Sequence, residues 1–394
     1  MSAIVTPFSA APLTGPVAGH DKRVAVFLPA LAGGGAERSM VNLCGGFVRR
    51  GAGVDLVLGQ AEGPYLSDLD PAIRVIDLKA TGVLPKLRGL AGYLKREQPC
   101  GLISVLDNIN LAAFAKRLAG AKSRIVINVQ NNVSADLASH RGLKGALKPW
   151  LMRKTYPWAD NVTCVSGGVA DDLASQACFA PQQLKVIYNP VRLDTVRQLA
   201  LEPASHPWLA DESVPVIVAA GRLTQQKDYP TLLKAFAMLR RDRDVRLIIL
   251  GEGELRGELE SQIKALSLTG AVALPGFTAN PYAFMARCSL FVMSSAWEGL
   301  PTVMIEALGC GATVVSTDCP SGPREILDKG KFGRLVPVGD ADALAAAMGA
   351  SLDEPKQTDR SHARADDFAA DKIVDQYLEL FGLTGSLNQG GFRA

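Results

Sequence analysis

Short runs of apolar residues recur along this chain at helix-length intervals, and that recurrence restricts the fold more than any other feature. In the first half they are Val24 to Pro29, Val54 to Leu58, Leu102 to Leu106, Ile125 to Val129 and Val162 to Val165. In the second half they are Val216 to Ala220, Arg246 to Leu250, Val272 to Leu274, Leu290 to Met293 and Thr313 to Ser316. Runs of this length read as strands covered on both faces, and strands alternating with helices build a parallel, doubly wound sheet. Between the two series the stretch LEPASHPWLADES, residues 201–213, loses the period and reads as an interdomain linker. The expected fold is α/β: two Rossmann-like domains, residues 21–200 and 214–365, facing across a cleft. A flexible tail, residues 1–20, precedes them, and a final helix from about Asp366 to Phe381 with a Gly-rich tail, residues 366–394, follows.

A chain of 394 residues suits two such domains. A net charge of +3 gives no reason to expect a nucleic-acid partner, so only local basic clusters inform on anionic ligands. The seven cysteines form no CxxC pair and sit mostly in apolar runs, which predicts free thiols in a reducing cytoplasm. The first residues have neither the basic start nor the apolar stretch of an export signal. No apolar run approaches the roughly 20 residues that cross a bilayer, so membrane contact would be peripheral. Neither half shows an Asp-x-Asp after a strand, nor a His, Cys and Asp cluster with metal-ligand spacing, and no metal is expected.

The most specific segment is WEGLPTVMIEALGCGATVV, from Trp297 to Val315. Glu298 precedes a helix that Pro301 can start, and Glu306 follows inside it among Val303 to Leu308, where a carboxylate needs a partner. The free N–H groups of such a start receive an anion or a hydroxyl. Two carboxylates so spaced reach different ends of one elongated polar ligand. In AAGRLTQQKDYP a strand end leads to Arg222 and Lys227, a phosphate clamp in which guanidinium grips oxygens and ammonium adds a point charge. AGGGAERS sets Gly33, Gly34 and Gly35 before a helix, as a phosphate- or sugar-approaching loop would. The stretch RGLKGALKPWLMRK, Arg141 to Lys154, carries five basic residues and no acidic one, interleaved with apolar side chains. It reads either as a helix lying on an anionic membrane surface or as a solvated helix packed inward.

The segment EGLPTVMIEALGCGATVVSTDCPSGPREIL, residues 298–327, closely resembles the signature of glycosyltransferase family 4. The resemblance implies the GT-B architecture and retaining transfer of a sugar from a nucleoside diphosphate, UDP- or GDP-linked, to a glycan or polyprenyl-linked acceptor. It places the work in bacterial surface polysaccharide or glycolipid assembly, at the inner face of the cytoplasmic membrane. The first domain would then serve the acceptor and the second the donor. Glu298 would contact the transferred sugar, Glu306 the ribose, and Arg222 and Lys227 the pyrophosphate, with Arg222, Lys227 and Glu298 the catalytic set. Gly299, Leu300, Pro301 and Thr302 would meet sugar and phosphate through their backbone. Gly34 and Gly35 would lie near the donor phosphates, and Gly251, in LGEGELRGELE, and Phe277, in LPGF, near the nucleotide.

One departure stands out. In INVQNN, residues 127–132, the place where many members carry His is Gln130, and with Asn131 and Asn132 it is expected to bind acceptor hydroxyls. Carboxamides cannot act as a base near neutral pH. His140 could be recruited from the following loop, and a same-face attack with the leaving phosphate as base needs neither. Lys144 and Lys148, with Arg153 and Lys154, would meet the acceptor diphosphate. A sugar-nucleotide epimerase of the same architecture and a non-catalytic nucleotide-sugar-binding partner remain alternatives at this level.

Overall fold

The computed structural model describes residues 22–106, 109–134, 143–177, 183–211 and 213–383. Two parallel sheets carry the chain. The first runs β3-β2-β1-β4-β5-β6-β7, with β1 Arg23–Leu28, β2 Gly53–Leu58, β3 Ile73–Asp77, β4 Gly101–Val105, β5 Arg124–Val129, β6 Asn161–Cys164 and β7 Leu184–Val186. The second runs β10-β9-β8-β11-β12-β13, with β8 Val216–Ala220, β9 Arg246–Leu250, β10 Val272–Gly276, β11 Leu290–Met293, β12 Val314–Thr317 and β13 Arg334–Val336. In both, the winding reverses beside the first strand, between β1 and β4 and between β8 and β11, which opens a crevice at the carboxyl ends.

Every apolar run named above is a strand. β3, β7 and β13 were not among them, and each lies at a sheet edge where only part of its surface is covered. β3 is held by charge as well as by its ladder. The buried Asp55 on β2 takes Arg74 from β3 at 2.6 Å, Arg23 from β1 at 2.6 Å and the Tyr93 hydroxyl at 2.7 Å. A carboxylate with three donors can stand inside the sheet because its charge and lone pairs are met.

The linker and the final helix fall differently from the sequence reading. The helix Leu193–Ala200 packs on Tyr282–Arg287 and Thr302–Gly309 of the second domain. Asn280 and Arg287 bond to the carbonyls of Leu199 and Ala200. Residues 201–211 therefore lie on the second domain, where His206 caps the Trp208 N–H, and the chain crosses earlier, at Pro190 to Arg192. It returns at Ala369, beside the first crossing: Val191 N–H donates to Phe368 O at 3.2 Å and Ala370 N–H to Val191 O at 3.0 Å. The return helix Ala370–Phe381 buries Val374 against Gly46 and Phe381 against Gly101 in the core of the first domain.

Truncating a buried aromatic costs about 3–5 kcal/mol. Phe381→Ala should lower the urea midpoint accordingly when unfolding is followed by circular dichroism; a wild-type midpoint would place the return helix outside the first core.

Candidate active site

The carboxyl ends of the two sheets meet directly. A Cβ added to Gly299 would lie 1.9 Å from the carbonyl oxygen of Gln130, so only glycine lets the loop after β11 rest on the loop after β5. The Gly299 carbonyl accepts from Ser166 Oγ at 2.8 Å. Glu325 accepts from the Gly167 N–H at 2.9 Å and from the Tyr188 hydroxyl at 2.8 Å, and Asn132 reaches Ser321 at 3.4 Å. Each of these contacts joins one domain to the other.

Glu298 and Lys227 form a buried ion pair. Lys227 Nζ stands 2.6 Å from Glu298 Oε1, which also accepts from Ser295 Oγ at 2.7 Å, while Gln226 Nε2 donates to Oε2 at 3.3 Å. Lys227 is delivered by a 3-10 turn, Gln225–Lys227, and Ser295 by the end of β11. The cation expected on phosphate and the carboxylate expected on sugar thus neutralise each other. Removing one partner of such a pair leaves an uncompensated charge, at about 3–5 kcal/mol.

Glu306, 7% exposed, stands in the helix Thr302–Gly309, with Pro301 at its amino-terminal cap. The Tyr282 hydroxyl lies 3.5 Å from its Oε1 and accepts from Arg38 of the first domain at 2.9 Å. Burial pushes the Glu306 carboxyl up, and Arg38 and the Tyr282 hydroxyl oppose that rise. Arg38 sits one turn into the helix Gly35–Arg49, its guanidinium 5.2 Å from the Tyr65 ring, and Tyr65 donates to the Gly33 carbonyl.

Gly34 caps this helix, and a Cβ on Gly35 would lie 3.7 Å from Thr302 Oγ1. Two helix starts, each with free N–H groups, therefore face one space. Leu300 and Pro301 are buried beneath it. Arg222 is exposed, with no ion pair among the described residues. Gly251 has a local reason to be glycine: a Cβ there would meet the Gly221 carbonyl at 2.1 Å, so this segment packs on the Arg222 turn. Phe277 is 70% exposed at the end of β10. No cluster able to hold a metal ion occurs among the described residues.

The acceptor assignments change most. Gln130 is turned inward: its amide nitrogen donates to Asn128 and Asn189, and its oxygen accepts from Asn189 Nδ2 at 2.8 Å. Asn128 goes on to Thr163 and the Tyr377 hydroxyl. A buried carboxamide satisfies its donors and acceptors before it serves a ligand, and this side chain is engaged within the first domain as a strut. Asn131 is exposed and Asn132 is buried on Ser321. His140 and Arg141 lie outside the described residues, as do the side chains of Lys144 and Lys148. Ser295, Gln226, Tyr282 and Arg38 were absent from the expected set. Arg38 had a signal, a cation one turn behind a glycine loop, whereas Tyr282 sits in an undistinguished NPYAF.

Comparison with known proteins agrees with this fold. The family profile described as Glycosyl transferases group 1 matches residues 203–367, and that described as Glycosyltransferase Family 4 matches residues 33–195. A relative from Campylobacter jejuni, named N-acetylgalactosamine-N,N'-diacetylbacillosaminyl-diphospho-undecaprenol 4-alpha-N-acetylgalactosaminyltransferase, is 34% identical over 278 residues, covering 70% of this chain and 74% of that protein. The Rhizobium meliloti lipopolysaccharide core biosynthesis glycosyltransferase LpsE is 27% identical, over 88% of this chain and 95% of its own. Among solved structures, Anabaena HepE with UDP and glucose superposes with a TM-score of 0.75 at 21% identity, covering 92% of this chain and 99% of that one. The chain belongs to glycosyltransferase family 4, has the GT-B fold, and is a glycosyltransferase.

Gly299→Ala should hold the two loops apart without disturbing either sheet. Transfer should fall by at least about tenfold, which corresponds to 1.4 kcal/mol of barrier, with an unchanged circular dichroism spectrum; full activity would show that the contact is dispensable.

Proposed function

We propose that this enzyme moves a sugar from a nucleoside diphosphate to a hydroxyl of a lipid-linked glycan, with retention of configuration. The observation that carries the reading is the meeting of two helix starts at Gly35 and Thr302, with the Lys227–Glu298 pair just ahead of the second start and Glu306 within that helix. Cations and helix starts suit a diphosphate, and the carboxylates on either side suit hydroxyls of sugar and ribose. Charge developing on the leaving diphosphate would be met by groups already in place. Carboxamides stand at positions 130–132, and a same-face attack, in which the departing diphosphate takes the acceptor proton, asks for no base there. The C. jejuni relatives are named for transfer onto undecaprenol diphosphate-linked sugars, which supports an acceptor of that class.

Such an acceptor lies in a membrane. No helix among the described residues is long and apolar enough to cross one. The helix Leu143–Thr155 exposes Trp150, Arg153 and Lys154, and the neighbouring helix Ile109–Ala119 exposes Arg117 and Leu118. Apolar and cationic side chains together suit contact with an anionic bilayer surface.

Screening nucleoside diphosphate sugars against undecaprenol diphosphate-linked glycans should show release of nucleoside diphosphate with one donor, and proton NMR should show the anomeric configuration kept. Arg222→Ala touches no structural partner and should cut turnover by about 10²–10³ without changing the melting temperature. Donor binding with no release of nucleoside diphosphate on any acceptor, or wild-type turnover in Arg222→Ala, would overturn the assignment. Replacing Trp150, Arg153 and Lys154 with Ser should reduce sedimentation with phosphatidylglycerol vesicles at low salt, and undiminished sedimentation would remove the bilayer contact.

A further inference from the structure

Glu306 and Glu298 are satisfied in different ways. Glu298 finds Lys227, Ser295 and Gln226, all within its own domain. Among the described residues, none of the ion pairs of that domain involves Glu306. The hydroxyl of Tyr282 approaches it, and that hydroxyl accepts from Arg38, which the first domain supplies. The remaining surroundings of Glu306 offer no substitute. Tyr65 and Cys310 are neutral neighbours. The packed helices Leu193–Ala200 and Thr358–Ala365 bring Arg197 and His362 toward Cys310 and Gly311, at the far end of the Glu306 helix. On Pro323–Ile326, Arg324 is engaged by Asp318 and Glu325 by Gly167.

We propose that Arg38 is a positioning residue for Glu306, acting through the Tyr282 hydroxyl, so that the first domain aims the ribose-binding carboxylate of the second. The inference rests on the nucleotide-sugar reading of the site. Arg38 is itself placed: its guanidinium lies over the Tyr65 ring, and Tyr65 is tied to the Gly33 carbonyl of the glycine loop. A chain of contacts therefore runs from the glycine loop through Tyr65, Arg38 and Tyr282 to Glu306. Arg38 belongs to the first domain, so a parting of the domains would leave Glu306 only a neutral hydroxyl beside it. The grip on a ribose diol is then strongest in the closed enzyme. Burial favours the protonated Glu306 and Arg38 opposes it, so loss of Arg38 extends the protonated form to higher pH.

The test is calorimetric titration of UDP and of GDP into the full chain between about pH 5 and pH 9. With the nucleotide that binds, Arg38→Met should weaken affinity by about tenfold at neutral pH, one pKa unit's worth, and move the acid limb of the profile to higher pH. Arg38→Lys keeps the charge and should restore most of that limb. Tyr282→Phe keeps the ring and should move it the same way by less. In a Glu306→Gln background Arg38→Met should change affinity by less than roughly twofold, since the group it acts on is gone. Should Arg38→Met fail to fold, Tyr282→Phe carries the same prediction. An unshifted profile in Arg38→Met, or in Tyr282→Phe where that variant stands in, overturns the inference alone, as does an undiminished effect of Arg38→Met in the Glu306→Gln background. Wild-type protein that binds neither nucleotide overturns the nucleotide reading and this inference with it.

Discussion

The chain passes between its domains twice, and the two passages are bonded to each other. Val191 and Ala370 exchange main-chain hydrogen bonds with the opposite strand of the crossing, so the domains are joined by a paired ribbon and not by a single tether. A paired ribbon resists twisting more than one strand does, because its bonds must break before its two chains can turn independently. The carboxyl ends of both sheets face one another across that junction. The direct contact of Gly299 with Gln130 depends on this arrangement, and so do Ser166, Glu325 and Arg38 reaching across. Asn189 stands beside the outgoing crossing and Tyr377 on the helix after the return. Through Asn128 and Gln130 they link both crossings to the loop that touches Gly299.

Burial of charge explains why the cleft is organised as it is. A carboxylate withdrawn from water must be matched by donors or by an opposite charge. Asp55 meets that demand far from the cleft, inside one sheet, where it locks an edge strand. Glu298 meets it with a lysine from the neighbouring loop of its own domain. Glu306 meets it with the Tyr282 hydroxyl of its own domain and, behind that, Arg38 of the other. The same physical requirement thus stabilises a strand in one place, pre-arranges an ion pair in another, and links a carboxylate to the opposite domain in the third.

Much of this was legible in the residues. Buried strands announce themselves because both faces are apolar, and all ten runs are strands. β3, β7 and β13 escaped because edge strands need less apolar surface, so Arg74 and Lys185 look like loop residues. Glu298, Glu306, Arg222 and Lys227 were singled out from two dense motifs, and the structure pairs Lys227 with Glu298. Their mutual pairing was not visible, since Lys227 and Glu298 lie 71 positions apart. Gln130 misled for a related reason: a carboxamide in a loop looks like a ligand contact until its partners, Asn128 and Asn189, are seen to occupy it. The crossing point misled too, because Leu193 to Ala200 has the pattern of any amphipathic helix and nothing local says which domain it covers.

The return helix has a consequence for synthesis. The first domain is translated early, yet part of its apolar core, Ile373, Val374, Tyr377 and Phe381, comes from the end of the described chain. Translation from Pro190 to Ala370 takes roughly 10–40 s at the usual 5–20 residues per second. Throughout that interval the nascent first domain presents Phe47, Leu56 and Ile103 without their covering helix. A ribosome-bound chain at that stage would offer a chaperone an apolar surface that the finished enzyme no longer shows.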